Sequence, residues 1–322
     1  MLRLNMRRPD MRRPALLALL ALTGLLPFAA QAAQDVSDEL RLVAPPWPGV
    51  TVKSEILAQL AEPLGYRVEI LEVSSTVGYQ TLQSDEADAF LAGWLPAQQE
   101  SYDASMAAGA IVDLGNNVEG ARMGFAVPGY VYAAGVTSAE QLADPETAER
   151  FNHRVYSIES GSTVTDMIES AIAADTYGLG DWKGMPSSTP GMLSEVAAAV
   201  DENRWILFYG WTPHWMIPEY DVHILDDPES VFGKNNGQSD VKTIVAKRYT
   251  EANPNLTRLL DQFTFSADEQ SEFISAFSLE ERDLDAVARE WIKQHPERVA
   301  SFLEGVTTYN GMDAQAAVEA SL

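Results

Sequence analysis

The chain has 322 residues, 46% of them hydrophobic, so it can bury a substantial core and is not disordered throughout. With 22 basic and 47 acidic residues its net charge is −25, and a surface of that sign repels nucleic acid and anionic lipid. The absence of cysteine excludes disulfides, a catalytic thiolate and cysteine metal ligands.

Residues 1–32 are predicted to be a secretory signal peptide rather than part of the fold. Several arginines precede an apolar run from Ala15 to Ala30, and Ala30-Gln31-Ala32 forms a small-x-small cleavage site. The Arg-Arg pairs also allow a twin-arginine signal, but the polar residues expected around such a pair are missing, which favours general secretion. Because an exported lipoprotein needs an N-terminal cysteine, the mature protein is expected to be free in the periplasm, without a lipid anchor.

The first half of the mature chain alternates between strand and helix patterns. Strands are predicted at Leu40–Val43, Arg67–Val73 and Asp88–Leu91. Helices are predicted between them, at 52–64 and 77–83, and this order favours a parallel sheet with helices on both faces. A helix at 98–108 and extended runs at 111–114 and 123–127 follow.

A second α/β alternation begins near His153. Its predicted strands and helices are a strand at 153–158, a helix from Val164, a helix at 192–200 and a strand at 205–208. After Val222 one strand, at 242–246, precedes helices near 255–263, 268–277 and 284–294. The simplest architecture is therefore two α/β lobes, with the C-terminal part returning to the first lobe.

Three tryptophans have similar local sequences. Trp47, Trp94 and Trp211 each follow a short apolar strand and each are flanked by Gly and Pro. Loops at strand ends are where α/β proteins place ligand contacts. A single tryptophan in such a place is more often part of the core, but three with the same flanking residues indicate a binding site.

A catalytic function has little support in the sequence. The four histidines lack metal-ligand spacing, and there is no phosphate-binding loop, dinucleotide fingerprint or nucleophile elbow. We therefore predict no enzyme activity, no cofactor and no metal. An exported enzyme on an α/β scaffold remains the alternative from another functional class.

The tryptophans suit an aromatic cage for a quaternary ammonium group. Such a cation has no N–H to donate, so aromatic faces are its best partners. A carboxylate on the same ligand would need donors, and His214 follows Trp211 closely enough to supply one. The turn at Gly161 and Ser162 precedes a predicted helix and could offer backbone N–H groups, although a plain helix cap is the other interpretation.

Together these motifs resemble one known family, the substrate-binding proteins of glycine betaine/choline-type ABC transporters (OpuAC-like). The matching stretches are Gly93-Trp94-Leu95-Pro96, the run from Val112 to Ala121, Val127-Pro128, Glu159-Ser160-Gly161-Ser162, and Gly210 to Met216. They cover nearly the whole mature chain in order.

The resemblance implies a type II periplasmic binding protein fold, with two α/β lobes joined by hinge strands. Residues 33–121 and 223–322 would form lobe I, and residues 122–222 would form lobe II. The partners it implies are a small betaine-like ligand and an inner-membrane ABC permease with its ATPase; a monomer without nucleic acid is expected.

The ligand contacts that the resemblance implies are Trp47, Gly49, Trp94, Met123 and Trp211, with His214 at the ligand carboxylate. Two departures from the family pattern concern ligand choice. Pro48 and Gly49 follow Trp47 where many relatives carry an acid that can meet a ligand hydroxyl, which favours a betaine over choline. Met123 replaces a tyrosine of some choline binders, so three aromatic walls are expected.

The pattern leaves other ligands open, namely choline, carnitine, proline betaine, ectoine or a sulfonium analogue. Trp215, which follows the third cage motif, is interpreted as core support rather than a wall.

Overall fold

The computed structural model describes residues 37–322, so the predicted signal peptide lies outside the described residues. The first strands and helices alternate as predicted: β1 (Glu39–Val43), α1 (Pro48–Ala61), β2 (Arg67–Leu71), α2 (Ser75–Gln83), β3 (Ala89–Leu95), α3 (Gln99–Ala107) and β4 (Ile111–Val118). β3 and β4 are each four residues longer at their C-terminal ends than predicted.

The next stretch also alternates between strands and helices. Its elements are β5 (Arg122–Pro128), α4 (Gly129–Ala133), α5 (Pro145–Arg150), β6 (Arg154–Ser157), α6 (Thr163–Ala173), β7 (Lys183–Pro186), α7 (Thr189–Asp201), β8 (Leu207–Thr212), α8 (Met216–Glu219) and β9 (Val222–Ile224), with 3₁₀ turns at Ala139–Ala143 and Thr176–Asp181.

The C-terminal part is mainly helical. Its elements are α9 (Lys234–Gly237), β10 (Asp240–Ala246), α10 (Lys247–Ala252), α11 (Pro254–Gln262), α12 (Ala267–Ile274), α13 (Leu284–Gln294), α14 (Pro296–Phe302) and α15 (Ala314–Glu319), with a π turn at Ser275–Leu279 after α12. The three helices predicted here are α11, α12 with its π turn, and α13. None of the helices within residues 37–322 has both the length and the apolar character needed to cross a bilayer.

The strands form two five-stranded sheets, with the orders β2-β1-β3-β10-β4 and β7-β6-β8-β5-β9. β1 runs parallel to β2 and β3, and β6 runs parallel to β7 and β8, as the alternating pattern predicts. However, β10 is antiparallel to both β3 and β4, and β5 is antiparallel to both β8 and β9. The parallel arrangement predicted from the first β-α-β-α-β alternation is therefore confirmed for β1, β2 and β3, and each sheet is mixed because β10 and β5 join it in the antiparallel direction.

The chain passes between the sheets twice, from β4 to β5 and from β9 to β10. Arg122, the first residue of β5, ties these two crossings together. Its guanidinium donates hydrogen bonds to the carbonyls of Asn236 (2.7 Å) and Leu225 (3.3 Å), and its backbone pairs with Gln238. The predicted lobe boundary at residues 222 and 223 falls within β9 (Val222–Ile224), which pairs with β5 in the second sheet. The lobe boundaries given above stay predictions.

Gly93 and Gly210, which follow the strands predicted at 88–91 and 205–208, lie inside β3 and β8. A Cβ at Gly210 would sit 2.5 Å from the Cβ of Ala126, and one at Gly93 would sit 2.9 Å from Cγ1 of Ile244. These glycines therefore let neighbouring strands and side chains pack closely rather than turn the chain. As a result Trp94 and Trp211 belong to the strands and not to the following loops.

A buried carboxylate just before β3 joins that strand to β1 and to the helix that follows β10. Asp88 is 2% exposed and accepts hydrogen bonds from the guanidinium groups of Arg41 on β1 (2.9 and 3.0 Å) and Arg248 on α10 (2.9 Å). Its Oδ2 also accepts the backbone N–H of Arg41 at 2.8 Å. These hydrogen bonds hold the start of β3 against β1 and against α10, the helix that follows β10.

We expect Asp88→Ala to lower the free energy of unfolding by roughly 3 kcal/mol, because both guanidinium groups lose a buried acceptor. Urea denaturation measures the change. Asp38→Ala is the matched control, since the Asp38–Arg67 pair is exposed on both sides and should contribute little. Equal effects of the two substitutions would contradict the assignment.

Candidate ligand-binding site

Four aromatic side chains line a small cavity of about 40 Å³ between the two lobes. Trp47 and Trp94 come from the first lobe, and Tyr209 and Trp211 come from the second. The remaining lining residues are Pro48, Gly49, Val50, Lys53, Ala92, Ala97, Gln98, Ile158, Thr163, Val164, Gln270 and Ile274. The cavity is therefore mostly apolar and built from both lobes, as ligand sites at domain interfaces are.

Each aromatic ring is placed by a regular element. Trp47 is the N-cap of α1, and its carbonyl accepts the backbone N–H and the hydroxyl of Thr51. Trp94 lies in β3 opposite Val241 of β10. Tyr209 and Trp211 are two residues apart on β8, so they share one face of the strand, and their rings stack at 5.0 Å.

A hydrogen bond across the cavity joins the two lobes. The indole N–H of Trp47 donates to Oε1 of Glu159 at 2.7 Å. Oε2 of Glu159 is buried and has no hydrogen-bond partner among the described residues. Burial raises the pKa of the Tyr209 phenol above its ordinary value, and the nearby Glu159 charge raises it further. Glu159 therefore lies close to two of the four rings.

A buried lysine lies beneath the cavity. Nζ of Lys53 donates to the carbonyl of Leu91 (3.0 Å) and to Oδ1 of Asn117 (2.6 Å), and the side chain is 1% exposed. The amide of Asn117 donates in turn to Leu91 and to Thr243 of β10. Burial lowers the pKa of the Lys53 ammonium from its ordinary value of 10.5 to about 7.

Two buried amide groups also line the cavity. Gln98 donates from Nε2 to the carbonyl of Ala92 at 3.1 Å, and its Oε1 has no partner within residues 37–322. Oε1 of Gln270 is also buried without a partner in this part of the chain. These oxygens can accept hydrogen bonds from a ligand. The described residues contain no group of three or more His, Asp or Glu side chains placed to hold a metal ion.

Four predicted site residues line the cavity, namely Trp47, Gly49, Trp94 and Trp211. The structure does not bring the other four to its lining. Met123 is fully buried, with its Sδ 3.8 Å from the Tyr209 hydroxyl. A fourth aromatic ring, Tyr209, lines the cavity, and it comes from β8 and not from the position of Met123. The number of aromatic walls around a ligand stays a prediction.

Gly161 and Ser162 do not line the cavity, although Ile158, Thr163 and Val164, which are close to them in the sequence, do. Ser162 caps α6, because its hydroxyl accepts the backbone N–H of Thr165 at 3.2 Å. Gly161 has a φ of +85° and leads the chain into this cap. The helix-cap interpretation is thus the one that the geometry supports, and ligand contact at these two residues stays a prediction.

His214 packs behind Trp211. Its ring meets the Trp211 indole edge-on at 4.7 Å, and the side chain is 2% exposed. Nδ1 accepts the backbone N–H of Met216 at 3.1 Å, so Nε2 carries the hydrogen, and Nε2 has no partner in the described part of the chain. Burial lowers the pKa of His214 to about 3, so the ring is neutral at neutral pH. Its role at a ligand carboxylate stays a prediction.

Trp215 is absent from the cavity lining. Its indole N–H donates to the hydroxyl of Ser278 at 2.7 Å, in the π turn after α12. The ring is 6% exposed and lies 5.1 Å from His214. Trp215 therefore supports the site from behind, as the sequence predicted.

Five residues at or beside the cavity were not predicted from the sequence: Tyr209, Lys53, Glu159, Gln98 and Gln270. Tyr209 could have been found from its spacing of two from Trp211 if the strand had been extended past Gly210. Glu159 was noted as part of a motif but not as a site residue. Lys53 gave no signal, because a lysine in a helix is normally exposed.

Two mixed α/β sheets, each with its helices, and an aromatic cavity between them define a two-lobed solute-binding protein of the periplasmic type. The family described as "Substrate binding domain of ABC-type glycine betaine transport system" matches residues 38–294. The chain belongs to this family.

Individual relatives agree with this assignment. The glycine betaine/carnitine transport binding protein of Listeria monocytogenes is 33% identical over 181 residues, which are 56% of this chain and 58% of that protein. A solved ABC-transporter choline binding protein in complex with choline superposes with a TM-score of 0.84 at 27% identity, covering 88% of this chain and 98% of that one. Lactococcal OpuAC, in a closed conformation with glycine betaine, gives 0.72 at 27% identity, covering 82% and 98%.

The lowered pKa of Lys53 predicts how stability depends on pH. Between about pH 7 and 10.5 the unfolded chain binds a proton that the folded protein does not, so the free energy of unfolding should rise with pH. Relative to Lys53→Met, the wild-type curve should rise by up to roughly 1.4 kcal/mol per pH unit. Urea titrations from pH 6.5 to 9.5 measure the difference.

Lys247→Met serves as the control, since Lys247 is exposed. The wild type and this variant should keep parallel curves over the same pH range. Parallel curves for the wild type and Lys53→Met would show that Lys53 titrates normally in the fold.

Proposed function

We propose that the protein is a periplasmic receptor that captures glycine betaine or a similar quaternary-ammonium solute and delivers it to an inner-membrane ABC permease and its ATPase. The observation that carries the proposal is the meeting of Trp47, Trp94, Tyr209 and Trp211 around one small cavity. In this function no reaction occurs, and the protein contributes affinity and lobe closure.

The rings suit such a ligand for a physical reason. A trimethylammonium group carries a diffuse positive charge and cannot donate a hydrogen bond, so aromatic faces stabilise it where hydrogen-bonding groups cannot. Each ring contributes about 0.5–2 kcal/mol, and more in a dry site. Four rings, together with the burial of the methyl groups, reach the roughly 8 kcal/mol that micromolar binding requires.

Capture requires closure of the lobes around the solute. The hydrogen bond between Trp47 and Glu159 joins residues from both sides of the cavity, so closing the lobes also sets the orientation of one ring. A permease would recognise the closed form. The protein would act as a monomer without a lipid anchor, after export by the signal peptide predicted at residues 1–32.

Choline is the second candidate ligand. The unpartnered amide oxygens of Gln98 and Gln270 line the cavity and can accept a hydrogen bond from a ligand hydroxyl. Titration calorimetry of the purified protein with glycine betaine, choline and ectoine, with tryptophan fluorescence recorded alongside, tests the proposal. Micromolar binding of a quaternary-ammonium ligand is expected, and binding of none of the three would contradict it.

We expect Trp94→Ala and Trp211→Ala each to weaken binding by about 100-fold or more, because each removes a cation–π contact and apolar surface from the site. Calorimetry of each variant measures the loss. Trp205→Ala is the control, since Trp205 packs under Arg150 and beside Phe151, outside the cavity lining. An unchanged affinity in either cage variant would remove that ring from the cage.

A further inference from the structure

Two ionisable side chains of opposite sign flank the aromatic cavity, one from each lobe. Lys53 lines the cavity on the side formed by α1 and β3. Glu159, in the segment before α6, does not line the cavity itself but holds the indole of Trp47, which does. Among residues 37–322 neither forms an ion pair with a side chain of opposite charge. Lys53 is buried, and half-buried Glu159 has one buried carboxylate oxygen without a hydrogen-bond partner among the described residues. Because buried charges are normally paired, a ligand of matching charge would stabilise both groups.

In its protonated form, which prevails below about pH 7, Lys53 makes the first-lobe side of the cavity positive. It lies one helical turn after Gly49 on α1, and both residues line the cavity. The ammonium has three hydrogens, of which two have acceptors, the Leu91 carbonyl and the Asn117 amide oxygen. α1 also begins at this cavity, so the positive end of its dipole adds to the charge of Lys53.

Glu159 makes the opposite side negative. One carboxylate oxygen holds the Trp47 indole, and the other is buried and unpaired. Its charge acts on Tyr209, a second ring of the cage. A cation held between Trp47 and Tyr209 would therefore be attracted by the negative charge of Glu159.

We propose that the solute is a zwitterion held in one orientation, with its carboxylate toward Lys53 and its quaternary ammonium between the rings on the Glu159 side. This inference rests on the proposed function and goes further, because it assigns ligand selectivity to two residues outside the aromatic cage. A zwitterion matches both charges, whereas a simple cation leaves Lys53 unmatched and a simple anion leaves Glu159 unmatched.

Three ligands of similar size separate the two charges. Glycine betaine carries both; choline carries the trimethylammonium group with a hydroxyl; 3,3-dimethylbutanoate carries the carboxylate with a neutral tert-butyl group. Affinities for all three are measured by calorimetry at pH 6.5 for the wild type, Lys53→Met and Glu159→Gln. The glutamine keeps an oxygen that can accept the Trp47 hydrogen bond.

The two variants are expected to weaken glycine betaine alike but to affect choline and 3,3-dimethylbutanoate in opposite ways. Lys53→Met should weaken glycine betaine and 3,3-dimethylbutanoate by about 10-fold or more and leave choline unchanged or tighter. Glu159→Gln should weaken glycine betaine and choline by about 10-fold or more and leave 3,3-dimethylbutanoate unchanged or tighter. Lys247→Met and Glu169→Gln, both at exposed positions, should change none of the three affinities.

Equal losses for all three ligands in a variant would overturn the assignment of that residue. The inference also fails if the wild type prefers choline to glycine betaine. Retained choline binding by Lys53→Met shows that this variant is folded, and Lys53→Gln provides the same comparison if the methionine variant does not fold. A wild-type protein that binds neither glycine betaine nor choline would contradict the proposed function itself, which is a separate outcome.

Discussion

The position of β10 in the centre of the first sheet is the constraint on which the site depends. Because β10 pairs with both β3 and β4, the C-terminal part of the chain completes the lobe that the N-terminal part begins. Val241 of β10 lies opposite Trp94 of β3. Thr243 of β10 accepts a hydrogen bond from the amide of Asn117, which in turn binds Lys53. Without this insertion, neither the ring on β3 nor the lysine beneath the cavity would be fixed.

The site combines two kinds of stabilisation that demand different surroundings. Aromatic faces act on a cation most strongly where water is excluded, and the same dry surroundings make an unpaired charge costly. Lys53 is fully buried and Glu159 has one buried carboxylate oxygen, and both have hydrogen-bonding capacity that the described residues leave unused. A ligand with two charged ends would therefore supply opposite charges to Lys53 and Glu159, while these residues and the rings stabilise the two ends of the ligand.

The sequence predicted the two α/β lobes, most strands and helices, and three of the four rings, because these follow from local periodicity and from residues flanking a tryptophan. Predictions from the sequence failed where contacts between distant segments, rather than local residues, set the ends of a strand. The strands predicted at 88–91 and 205–208 end too early, because Gly93 and Gly210 lie within β3 and β8, where Ile244 and Ala126 pack closely against them. Ending β8 early then hid Tyr209, which shares a face with Trp211.

The sequence by itself determined the family, the fold class and the aromatic character of the site, since these depend on which residues occur and in what order. Only the tertiary structure decided that β10 and β5 run antiparallel, that Met123 and His214 pack behind the rings, and that Lys53 and Glu159 flank the cavity. The reason is physical: burial and pairing of charges arise between segments far apart in the chain, as between Trp47 and Glu159, and no local pattern records such contacts.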